Sequence, residues 1–329
     1  MRLRLRQRLS APTAGGASLA AVAGALVVVY IVWGSTYYGI RVAIDTMPPL
    51  LMGAVRFTIA GGLLYAVAVR RGDRIGDAPT AVHWRSALII GVLLLTFGNG
   101  GVILGEEYIP TGIAALLVAT VPLWMALFAY LFAGERLRPL TAAGIGIGLV
   151  GVALLLRPGA SGGASPVAML AMLVSPMCWA GGSLYARRAA VPARPLVATG
   201  MEMLAGGTVL FIAAGVHGEF GQVHLAAVSL RSAIALAYLV VFGSIIAFSA
   251  YVWLLRNAST PLVSTYAYVN PLVAVLLGWA LLGEHISGQT LVAAAFIVVA
   301  VATILARPSP GRRPAAAAPR ARECATTAV

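Results

Sequence analysis

The sequence predicts an all-α integral membrane protein with ten transmembrane helices arranged as two inverted five-helix repeats. Three observations carry that prediction. Of 329 residues, 60% are hydrophobic and 10% are charged, whereas a soluble globular chain is about a quarter charged. Ten apolar runs follow one another, each long enough to cross about 30 Å of hydrocarbon as a helix. The arginines gather in alternate breaks between those runs, as topology signals do. Transmembrane β-strands would be about ten residues long with alternating polarity, a pattern absent from this chain.

In chain order, residues 1–18 place Arg2, Arg4, Arg6 and Arg8 ahead of the first run and form a basic cytoplasmic tail. A small-residue stretch, AVAGA, would suit signal-peptide cleavage, but the apolar run continues to about Ile44. The runs lie at about 19–44, 50–69, 86–105, 112–133, 140–156, 166–186, 196–216, 232–255, 261–282 and 289–306. The first five form a repeat over 19–156, and residues 157–165 are an extracytoplasmic linker. The last five form a second repeat over 166–306. Residues 307–329 are rich in Pro, Ala and Arg and lack apolar periodicity, so they read as a disordered cytoplasmic tail.

All 23 basic residues are arginine. With the N-terminus inside, 19 of the 23 fall in cytoplasmic segments, leaving Arg41, Arg56, Arg157 and Arg231. Ten spans with both termini cytoplasmic therefore satisfy the positive-inside rule in a bacterial-type inner membrane. The net charge of +13 forms no face or stripe, which excludes nucleic acid as a partner. Cys178 and Cys324 make neither a disulfide framework nor a zinc ligand set. No cofactor or metal motif is present in the sequence.

The two halves resemble each other. Pro122 precedes Glu135 by thirteen residues, and Pro271 precedes Glu284 by the same interval. The two pairs are 149 residues apart, an offset that also relates Thr111 to Thr260. Trp33 and Trp179, Pro49-Leu50 and Pro195-Leu196, and Gly61 and Gly207 are related by 146. Duplicating a unit with an odd number of spans inverts the second copy. Inverted repeats are a basis for alternating access around a site near the membrane midplane.

W-G-S-T-Y at Trp33–Tyr37, P-P-L-L-M-G-A-V-R-F at Pro48–Phe57, A-T-V-P-L at Ala119–Leu123, Y-V-N-P-L at Tyr268–Leu272 and the two G-E pairs resemble the EamA family. That family belongs to the drug/metabolite transporter superfamily. The resemblance covers about residues 20–306. It implies a transporter whose cargo is an amino acid, another metabolite or a drug, usually moved outward.

Polar groups at membrane depth need a partner, a cavity or water. Arg56 and Glu202 occupy equivalent repeat positions with opposite charges. They either snorkel to the interface or line one central cavity. Trp33, Ser35, Tyr37 and Tyr38 in the first span, and Trp179 and Ser183 in the sixth, suit a moderately polar cavity. The same residues would serve equally as interhelical bonds and interfacial anchors. Asn99, Tyr266 and Asn270 complete the candidate cargo-binding set, with Asn270 alternatively satisfying the carbonyl freed by Pro271. Pro122, Glu135, Pro271 and Glu284 read as structural, the two carboxylates holding helix N-termini or loop amides, with proton coupling as their alternative role.

Enzymatic readings lack support: there is no H-E-x-x-H, no G-x-S-x-G and no Walker A sequence. The sequence therefore points to an inner-membrane secondary transporter that exports a small metabolite or amphipathic compound. A proton gradient or the cargo's own gradient would drive it, and the bilayer and a small-molecule substrate are its partners. The alternatives are a lipid-carrier translocase, needing a lateral opening, and a membrane-embedded lipid-processing enzyme, needing a nucleophile or metal cluster.

Overall fold

A computed structural model describes residues 17–70, 78–134, 136, 139–157, 165–258, 260–263 and 265–305. Glu135, nearly all of the two tails and most of the 157–165 linker lie outside the described residues. Among the described residues all regular structure is helical. Among the described residues, the longer apolar helices follow in chain order: α1 (Leu19–Ile44), α2 (Pro49–Arg70), α3 (Ala81–Gly105), α4 (Thr111–Phe132) and α5 (Pro139–Leu155). Then come α6 (Pro166–Ala186), α7 (Pro195–Val216), α8 (Leu230–Leu254), α9 (Tyr266–Leu282) and α10 (Gly288–Ile304). Seven are long and apolar enough to cross a membrane, while α5, α9 and α10 are shorter apolar helices. The ninth run is shorter than its sequence suggests because it divides into a four-residue helix at Thr260–Val263 and α9 proper.

Local signals set the helix ends. Ser18 caps α1 by accepting from the Ala21 amide. Thr80 and His83 form a reciprocal capping box at the start of α3. The chain leaves α4 and α9 through Gly134 and Gly283, at φ 68° and 67°, a left-handed conformation that costs glycine nothing.

Two helices depart from the α pattern inside the apolar region. Val92–Asn99 of α3 and Leu239–Ile246 of α8 are π-helical. They lie 147 residues apart, at matching places in the two halves. The equivalent prolines behave differently. In α4 the helix breaks at Ala119–Thr120, and Pro122 sits at the start of the second segment, where its missing N–H is harmless. Pro271 lies inside α9, which runs through it.

The most extensive helix contacts all join the first five helices to the last five: α2 with α7, α5 with α10, α1 with α8 and α9, α3 with α6 and α7, and α4 with α6 and α9. Glycine permits the closest of these. A Cβ at Gly61 would stand 2.7 Å from Met203 Cβ, and one at Gly207 would stand 2.8 Å from Thr58 Oγ1. In lipid, tight van der Waals packing of this kind replaces the hydrophobic drive between helices. The α2–α7 pair runs antiparallel, since Gly53 meets Leu210, Gly61 meets Met203, and Gly200 meets Tyr65. The α5–α10 pair does too: Gly144 meets Ile304 and Gly151 meets Ile297. Ile31, Leu63, Phe132, Ile212 and Leu276 point outward and are exposed, giving the apolar perimeter that a bilayer covers.

Candidate functional site

Where the two halves meet, a cavity of about 100 Å³ opens between α1, α2, α3, α4, α6, α8 and α9. It admits several waters or a group of a few heavy atoms. Its walls are mainly aromatic and small. Trp33 donates from Nε1 to the Gly243 carbonyl at 3.2 Å, which fixes the indole against α8. Around it stand Phe248, Tyr251 and Tyr266, with ring centroids 5.2, 5.0 and 5.3 Å away. Trp179 of α6 lies opposite, over Gly98 of α3.

The polar groups at the cavity are few. Arg56 is 3% exposed, and its Nε donates to Ser244 Oγ at 2.9 Å. Its Cζ stands 4.8 Å from the centroid of the Phe57 ring, and its Nη1 has no hydrogen-bond partner. A buried guanidinium with an unused donor is a costly arrangement unless something else binds it. Asn99 donates to the Leu94 carbonyl five residues back, a spacing that the π segment creates. Asn270, with its amide oriented by its neighbours, donates to the carbonyls of Tyr266 and Tyr30, at 3.2 Å each. It thus ties α9 to α1 and does not serve Ala267, the carbonyl to which Pro271 cannot donate.

The cavity therefore gathers Trp33, Tyr37, Arg56, Asn99, Trp179, Tyr266 and Asn270 from the candidate set, and adds Thr36, Ser175 and Phe248. It does not include Ser35, Tyr38, Ser183 or Glu202. Ser35 bonds Tyr238 Oη at 2.6 Å and the carbonyls of its own helix, a role in packing α1 on α8. Tyr38 packs on the main apolar core, and Ser183 is half-buried on α6. Glu202 is not among the residues that line the cavity with Arg56. The antiparallel α2–α7 contacts put it level with about residue 62, some 9 Å along the axis from Arg56. Its carbonyl lies against Gly91 of α3.

Two carboxylates close helix N-termini. Glu284 accepts from the Thr111 amide at 2.6 Å and the Gly112 amide at 3.1 Å, which holds the start of α4. Glu219, in the α7–α8 connection, accepts from Leu50 at 3.1 Å and Leu51 at 2.8 Å at the start of α2. Glu219 escapes a sequence reading because it lies in a polar loop. Glu106 escapes for the same reason: it stands one residue beyond α3, yet is 1% exposed. Burial and the Glu284 charge hold its carboxyl well above the ordinary carboxylate range, against the pull of Arg41 and Arg56.

Residues 19–157 and 166–306 each match the EamA-like transporter family. The inner membrane transporter YedA of Escherichia coli K12 is 44% identical over 283 residues, spanning 85% of this chain and 89% of the relative. Transporter YvbV of Bacillus subtilis 168 is 24% identical over 83% of this chain and 88% of its own. Protein PecM of Dickeya dadantii is 26% identical over 82% and 87%. A solved crystal structure shares the fold, with a TM-score of 0.60 at 23% identity over 87% of this chain and 96% of that one.

Proposed function

The chain belongs to the EamA-like transporter family and is a membrane transporter, and on that premise we propose that it exports a small carboxylate-bearing metabolite or amphipathic compound by alternating access. The transporter sits in the inner membrane with both termini cytoplasmic, and its ten helices form two inverted five-helix repeats. Several features support the inversion. The family match occurs twice in succession. Counterpart helices α2 and α7 pack antiparallel, as do α5 and α10. The π segments and left-handed glycine caps recur at corresponding places. A two-fold axis in the membrane plane produces antiparallel counterparts, whereas an axis along the normal produces parallel ones.

The observation that carries the cargo reading is Arg56. Its guanidinium is buried with one donor nitrogen unused, in an aromatic-walled cavity at the junction of the halves. Arginine matches a carboxylate with two parallel hydrogen bonds, and the rings offer an apolar or aromatic cargo its remaining contacts. The test is efflux of toxic amino-acid and aromatic-acid analogues from cells with and without the protein. Arg56→Ala should lower efflux at least tenfold at normal membrane content, and Arg56→Lys should recover only part of it. Wild-type efflux by Arg56→Ala would overturn the assignment.

A further inference from the structure

A second recess, of about 450 Å³, opens where the α1–α2, α3–α4 and α9–α10 connections meet the start of α8. In the proposed topology it faces outside. Arg41, Asp45, Glu106, Glu107, Arg231 and Glu284 line it, four carboxylates against two guanidinium groups. Glu284 is committed to the α4 amides. Glu106 has no such commitment. It is 1% exposed, neither carboxylate oxygen has a geometric hydrogen-bond partner, and the Arg41 guanidinium donates to its backbone carbonyl, at 2.9 Å.

The groups acting on Glu106 are Arg41 and the Tyr37 phenol from α1, Arg56 from α2, and Glu284 from the α9–α10 connection. Asp45, Glu107 and Arg231 border the recess, and α6 meets the adjoining Gly105 with the uncharged Met172. Val102, four residues before Glu106, and Tyr37 line the cavity that holds Arg56, and across this short separation Glu106 in turn acts on Arg56. When ionised it offsets the guanidinium charge. When protonated it leaves that charge uncompensated in surroundings of low dielectric, where an anion gains most from it.

We propose that Glu106 is a proton-binding site of this recess, coupled to the anion subsite at Arg56 so that a proton and a cargo carboxylate favour each other's binding. The coupling rests on the role proposed above for Arg56; the proton site does not. The proton comes from external water through the recess and returns the same way. Because coupling is reciprocal, an acidic exterior retains cargo and a neutral one releases it. Efflux driven by the cargo's own gradient therefore slows on external acidification.

Two measurements on the purified full chain test this. Infrared difference spectra between pH 5 and pH 8, without cargo, should show a protonated carboxylic acid band that Glu106→Gln lacks, Glu106→Asp shifts, and Arg56→Ala keeps. A band unchanged in both Glu106 variants overturns the proton site. Benzoate, which carries one carboxylate and one ring and stays ionised above pH 5.5, then probes the coupling through tryptophan fluorescence. Its Kd should rise about fivefold or more from pH 6 to pH 8 in the wild type. In Glu106→Gln it should stay low at both values. A pH-independent Kd that still requires Arg56 overturns the coupling alone, whereas unchanged binding by Arg56→Ala overturns the cargo reading and leaves the infrared result to decide the proton site.

Discussion

Glu284 and Glu219 each satisfy two of the amides that a helix start leaves free, Glu284 for α4 and Glu219 for α2. Charge-assisted bonds to backbone amides are among the stronger ones. Replacing either residue with alanine strands two donors, at about 1–3 kcal/mol for each one left buried. Glu284→Ala and Glu219→Ala should each lower the apparent Tm of detergent-solubilised protein by several degrees, and Glu284→Gln should fall between wild type and Glu284→Ala. Unchanged melting would mean the clamps carry no stability. Arg56 is legible in the sequence because a charge inside an apolar run demands an explanation. The burial of Glu106 is not legible, since it depends on α1 and the α9–α10 connection closing over a residue that otherwise reads as a loop acid. Ser35 and Thr36 show a second limit. They are neighbours on a helix that is apolar on every side, so no amphipathic stripe tells which of them faces the cavity.

The ten apolar runs are readable in sequence because hydrocarbon imposes length and composition on every span. Interruptions inside them are not. A-T-V-P-L breaks α4 before its proline, while Y-V-N-P-L stays helical through Pro271, with Asn270 tied to α1. The surroundings decide between the two outcomes, and the pentapeptides do not. The π segments escape for a related reason: an i→i+5 ladder has no composition of its own. A π-bulge amounts to one extra residue accommodated within an α-helix. Deleting Val92 should therefore let α3 close into a continuous α-helix with Gly100–Gly105 still in phase. Deleting Val27 from the fully α-helical α1 should turn everything beyond it by about 100°. Size-exclusion profiles of the solubilised proteins should be monodisperse for the first deletion and aggregated for the second. Equal behaviour would remove the special standing of Val92–Asn99.

The packing of the molecule inverts the usual relation between neighbours in sequence and neighbours in space. Helices of one half touch the other half more than they touch each other. The duplication is visible in sequence through Pro122 and Pro271 or Gly61 and Gly207, but which helix meets which is not, because lipid-exposed and protein-facing sides are equally apolar. With most of its partner surfaces on the other half, each half depends on the other for its core. Joining the two halves in one chain then contributes proximity. The chain should consequently tolerate being encoded as two genes. Residues 1–160 and 161–329, translated separately in one cell, should find each other and co-purify, while either fragment made alone should be degraded. Accumulation of a lone fragment as folded protein would show that a half is self-sufficient.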